Sequence, residues 1–124
     1  MITRGFLALV GLAYLLLAAW CAARPAETAH AVGSTLQPGS GQSEYFVVYG
    51  GLQLALGLMF LWPLLDRDVE RFSLTLCLVI HACLVVMRSI SFGLYGGIQP
   101  MTYGLSAVEW VILLGSAGCF FFRK

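Results

Sequence analysis

FSLTLCLVIHACLVVMRSISFGLY, running from Phe72 to Tyr95, is a train of apolar and small side chains broken by one histidine, His81, and one arginine, Arg88. A helix that crosses a bilayer needs roughly 17–25 predominantly apolar residues, and this stretch has that length and character. Three more stretches obey the same rule. One covers about 5–23 and stops at Arg24-Pro25; a second covers about 45–65, with Trp62-Pro63 near its end. The last covers about 104–122, carries Glu109 and stops at Arg123-Lys124. Four spans nearly fill the 124 residues, so the expected fold is all-α: an integral membrane four-helix bundle, one membrane domain over 1–124.

Composition agrees. The chain is 60% hydrophobic and 10% charged, against about 25% charged in an ordinary soluble domain. A globule of this length cannot hide so much apolar surface in one core, and the first expected partner is the lipid bilayer. The net charge of +1 lacks the basic excess of a nucleic-acid binder, so no nucleic-acid partner is expected. The aliphatic and aromatic content excludes disorder.

Positive charge collects on the cytoplasmic side of a membrane protein. With the N-terminus inside, Arg4, Arg67, Arg71, Arg123 and Lys124 all lie inside and Arg24 alone lies outside, so both termini are expected in the cytoplasm. Arg4, an apolar run and Ala29-His30-Ala31 also suit a cleavable secretory signal. The run is long for a signal core, and its removal would leave three helices, so the first span is expected to stay. A lipoprotein signal fits less well, because Trp20 precedes Cys21.

The outer loop 24–43 is the one long polar segment, and its Gly33–Gly41 stretch is expected to be irregular, either a lid over the outer mouth or a plain connector. The inner loop Asp66–Arg71 suits a solvated hairpin, and the second outer loop, Gly96–Pro100, is tight. Small residues at four-residue spacing (Gly51 and Ala55; Ser89, Gly93 and Gly97; Gly115 and Cys119) permit close helix approach within the bundle, or along a homodimer or larger-complex seam. Trp20, Tyr45, Trp62, Tyr103 and Trp110 fall near span ends, as interfacial anchors do.

Charges at membrane depth are costly and face the bundle interior, paired or near water. His81 and Arg88 stand seven residues apart, almost two full turns, and therefore share a helix face with Cys77 and Tyr95. Glu109 enters the fourth span from the outside and reaches a depth similar to Arg88, which makes Arg88 and Glu109 the candidate ion pair. Tyr49 and Gln53, four residues apart, share a face of the second span. Glu44 lies on the opposite side of a straight helix and suits its N-terminal dipole. The five residues Tyr49, Gln53, His81, Arg88 and Glu109 form either an outward-open polar pocket or a buried network that fixes helix packing.

Other chemistries lack their residues. Cys21, Cys77, Cys83 and Cys119 form no Cys-x-x-Cys pair. His30 and His81 occupy different environments, so no metal site is expected. Gly50-Gly51 lies inside an apolar helix rather than in a phosphate-binding loop, and no cofactor is expected.

The segment Tyr49-Gly50-Gly51-Leu52-Gln53-Leu54-Ala55-Leu56-Gly57, followed by Arg88, Ser91, Gly97, Pro100 and Glu109 in order, resembles a family of small bacterial membrane proteins catalogued as domain of unknown function 4345, itself similar to DoxX-like four-helix proteins. That family often carries an acid before the turn glycine, where this chain has Tyr95-Gly96. The resemblance implies a multipass protein of the bacterial inner membrane and supports the fold more than an activity. The leading expectation is binding of a lipid-like or small polar ligand near Arg88 and Glu109, with Arg88 holding an anionic head. Alternatives are a small proton-coupled transporter using Glu109, a membrane isomerase with Glu109 and His81 as acid and base, and a structural accessory subunit.

Overall fold

A computed structural model describes residues 1–122; Arg123 and Lys124, both inner charges by the sequence, lie outside the described residues. Five helices account for most of them. Helix α1 is Ile2–Ala23, α2 is Pro25–Ala31, α3 is Ser40–Leu64, α4 is Glu70–Leu94 and α5 is Pro100–Phe121. All but α2 are long and apolar enough to cross a membrane, and the chain is a membrane protein built as an all-helical bundle.

Local chemistry sets the ends. Proline occupies the first helical position of both α2 and α5, where its missing N–H would be unpaired anyway and its fixed φ suits a helix start. For this reason α5 begins at Pro100 rather than near 104. Likewise α3 starts at Ser40 rather than near 45, its first turn capped by the Gln42 Oε1 that accepts the Gly39 N–H at 3.3 Å. Gln42, rather than Glu44, supplies that cap. The loop 24–43 is therefore only partly irregular: residues 32–39 carry no helix, while α2 packs inward through Thr28 and Ala29. The Tyr45 hydroxyl donates to Thr28 Oγ1 at 2.9 Å, and Cys21, Ala29 and Tyr45 form a small apolar cluster. This clamp ties α2 to the start of α3 and favours the connector over the lid.

The four long helices pack as two hairpins, α1 with α3 and α4 with α5, which meet more sparsely. At the α1–α3 crossing Gly11 faces Gly57: a Cβ on Gly11 would stand 2.9 Å from the Gly57 carbonyl oxygen, and one on Gly57 would stand 3.0 Å from that of Gly11. Between the hairpins lies the main core of Leu7, Val10, Tyr14, Phe60, Leu74, Cys77 and Ile112, where the Ser73 hydroxyl also donates to the Met59 carbonyl at 2.9 Å. Of the small-residue stripes, Gly115 seats the Phe6 ring, whereas nothing approaches Gly51 or Gly93. The Arg4–Glu70 ion pair, 3.2 Å, brings the N-terminus beside the α3–α4 turn, and Phe122 after α5 lies at the same end of the bundle.

Two further features place the polar residues of the spans. Residues Phe46–Leu52 form a π-helical segment within α3, a wider turn with i→i+5 hydrogen bonds that is often found at functional sites. It offsets every side chain upstream of Gln53 from its straight-helix position, so opposite-face arithmetic for Glu44 fails. The buried residues of α4 are Ser73, Leu74, Cys77, His81 and Val85, and those of α5 are Ile112 and Ser116. Among the described residues none from 86 to 111 is buried. The packed core thus ends just before Arg88 on α4 and just after Glu109 on α5.

Candidate membrane-embedded polar site

Arg88 and Glu109 meet at that boundary in a two-pronged pair: Arg88 Nε donates to Glu109 Oε2 at 2.6 Å and Nη2 donates to Oε1 at 2.6 Å. The geometry follows from the sequence. A tight turn, carrying Gly97 at φ +72° and extended Gln99 before Pro100, folds α5 back on α4 so that both side chains reach one depth. Arginine's planar fork matches a carboxylate bidentately. The side chains remain 23% and 13% exposed, so the pair is neither sealed in the core nor free at the surface. Ser89 and Ser91 do not join it; their hydroxyls donate to the Val85 and Arg88 carbonyls of their own helix at 2.7 and 2.8 Å.

Gln53 and Tyr49 lie on α3. Gln53 Oε1 is buried and has no hydrogen-bond partner among the described residues, an uncommon state that costs about 1–3 kcal/mol. Tyr49, 42% exposed, stacks on Tyr45 with ring centroids 4.3 Å apart. The clamp that holds α2 through Tyr45 therefore also positions Tyr49.

His81 occupies a different environment. It is 1% exposed, with Nδ1 2.8 Å from the Cys77 carbonyl oxygen and Nε2 3.1 Å from the Tyr14 hydroxyl. A carbonyl only accepts, so Nδ1 carries the proton. In the neutral ring Nε2 then accepts from Tyr14. Tyr14 and Phe60 wall the imidazole, the Tyr14 ring edge-on at 5.8 Å. Both nitrogens are occupied, and the ring stands about 10 Å along the helix axis from Arg88. Tyr14 carried no separate signal in the sequence, because a tyrosine in an apolar run reads as ordinary core. Removing its hydroxyl strands the Nε2 acceptor: Tyr14→Phe is expected to lower stability by about 1–3 kcal/mol, measured as unfolding in mild detergent.

A cavity of about 640 Å³ opens elsewhere, at the end that holds Met1 and the α3–α4 turn, lined by Met1, Ile2, Thr3, Glu70, Gly118, Cys119 and Phe122. None of the five sequence-predicted residues lines it. The Arg88–Glu109 pair stands instead where the buried core stops.

No curated protein and no solved structure matches the chain. The model of one family does, over residues 2–117, a range that takes in the Gly11–Gly57 crossing, the Tyr14–His81 contact and the Arg88–Glu109 pair alike. The chain therefore belongs to the family described as domain of unknown function DUF4345.

Proposed function

We propose that this protein binds a small amphipathic molecule at an outward-facing site between its two hairpins, in the inner membrane of a bacterium with both termini cytoplasmic. Arg88 and Glu109 form the polar floor, and Gln53 and Tyr49 form the facing wall. His81, held by Tyr14 and Cys77, is the strut beneath.

The observation that carries this reading is a part-exposed ion pair at membrane depth, placed where the buried core ends. Packing alone favours sealed pairs or apolar replacements, and intramembrane charges mark ligand or ion pathways. The unpartnered Gln53 Oε1 on the neighbouring α3 adds a polar group that packing leaves unused. By contrast, the Tyr14–His81–Cys77 contacts are satisfied and closed, which favours a structural role for that part of the cluster.

Native mass spectrometry of gently solubilised protein tests the proposal. Wild type is compared with the double variant Arg88→Gln/Glu109→Gln, whose amides can pair without charge. A bound species of defined mass is expected on wild type and at least tenfold depleted on the folded variant, about 1.4 kcal/mol of binding. Equal occupancy on both would refute the site.

A further inference from the structure

We propose that the head group bound at this site is electrically neutral and carries both a hydrogen-bond acceptor and a donor, as an alcohol or a primary amide does, on a single apolar chain. This rests on the binding reading under the proposed function and sharpens it. The sequence alone suggests an anionic head held by Arg88, but the geometry favours a neutral one.

Glu109 already takes two of the guanidinium's donors, through Nε and Nη2 at 2.6 Å each, so the pair carries no net charge. An anionic head would have to displace Glu109 or lie against its carboxylate, and a cationic head would lie against Arg88. Either choice strands one charge in a medium of low dielectric. A neutral head strands none.

The donors and acceptors that remain define the rest. Arg88 Nη1 makes no hydrogen bond among the described residues and is not among the buried unpartnered atoms, so a donor is available to an incoming acceptor. Gln53 Oε1 is buried without a partner and needs an incoming donor. The Phe60 and His81 rings stand 6.5 Å apart, and Gln53 and Arg88 each lie seven residues, about two turns, outward from them on the same helix faces, so one hydroxyl or amide head supplies both. The flanking surface on the Arg88 face is apolar, with Leu84 exposed one turn inward and Tyr95 exposed two turns outward, which suits a hydrocarbon tail.

The test uses the full chain in lipid nanodiscs and three probes with the same hydrocarbon tail: monooleoylglycerol, oleamide and the anionic oleyl phosphate. Binding is read by competition in native mass spectrometry. The neutral probes are expected to bind at least tenfold more tightly than oleyl phosphate. Gln53→Leu should weaken them about tenfold while raising the melting temperature, because it removes the buried unpartnered acceptor. If oleyl phosphate binds as tightly or more tightly, and the Arg88→Gln/Glu109→Gln variant loses it, the neutral-head assignment is overturned and the site survives. If no probe binds in a way that this double variant changes, both the assignment and the site fall.

Discussion

Arg88→Ala is expected to destabilise the protein by up to about 3–5 kcal/mol, the cost of leaving one member of a fully buried pair uncompensated, reduced by the part-exposure of this pair. Glu109 is 13% exposed and takes both of its short hydrogen bonds from Arg88, so its carboxylate would be left at membrane depth without a counter-charge. Glu109→Ala should cost a similar amount by stranding the guanidinium. The Arg88→Gln/Glu109→Gln double variant should recover most of the loss, because it removes both charges together. A double-mutant cycle from reversible unfolding in mild detergent measures this coupling. Additive single losses would mean that the two side chains do not depend on each other.

The second large effect is expected at the α1–α3 crossing. Gly57→Leu places a side chain where even a Cβ would stand 2.7 Å from Leu15 Cδ2 and 3.0 Å from a backbone oxygen. The leucine could rotate away, but the Gly11 carbonyl cannot. Loss of about 3 kcal/mol, the upper part of the overpacking range, is expected. Gly93→Ala is the matched control: nothing lies within 4 Å of its added Cβ, and in the last turn of α4 it should gain a part of the about 0.5–1 kcal/mol that a mid-helix exchange yields from the lost backbone entropy of glycine. Opposite shifts in melting temperature would verify both. A Gly57→Leu protein as stable as wild type would mean that the α1–α3 crossing does not need its glycines.

These two sites differ in how far the sequence disclosed them. The Arg88–Glu109 contact was legible because charges within spans are few, and the tight Gly96–Pro100 turn forces residues at matching distances from it to one depth. The glycine crossing was not legible. Glycine is abundant here, 14 residues, and four-residue spacing pointed to Gly51 and Gly93, which the structure leaves without neighbours. Which glycine meets a partner depends on the rotation of each helix in the bundle, and a single chain's pattern does not encode that.

His81 illustrates a related limit. Helical periodicity placed it on the face of Arg88, but two turns of depth carry it from the part-exposed ion pair into the closed core, where Tyr14 and the Cys77 carbonyl use both ring nitrogens. Face and depth are separate coordinates, and periodicity reports only the first. The π-helical segment Phe46–Leu52 had no local signal beyond Gly50-Gly51, since the wider turn is selected by packing rather than by propensity. Helix α2 was readable in principle: Pro25 is a good first helical residue, and Glu27 follows in the first turn, where an acid suits the dipole. Its short, mixed composition hid it inside a segment that otherwise reads as loop.

The claim that a small amphipathic molecule sits between Tyr49 and Arg88 is tested most directly by photo-cross-linking in native membranes, with a photoreactive benzoylphenylalanine at position 49. Adducts are then weighed by mass spectrometry of the intact protein. A discrete non-phospholipid adduct is expected, greatly reduced when the Arg88→Gln/Glu109→Gln changes are added. Adducts only to bulk phospholipid, unchanged by that double replacement, would contradict the claim and leave the ion pair as a packing device.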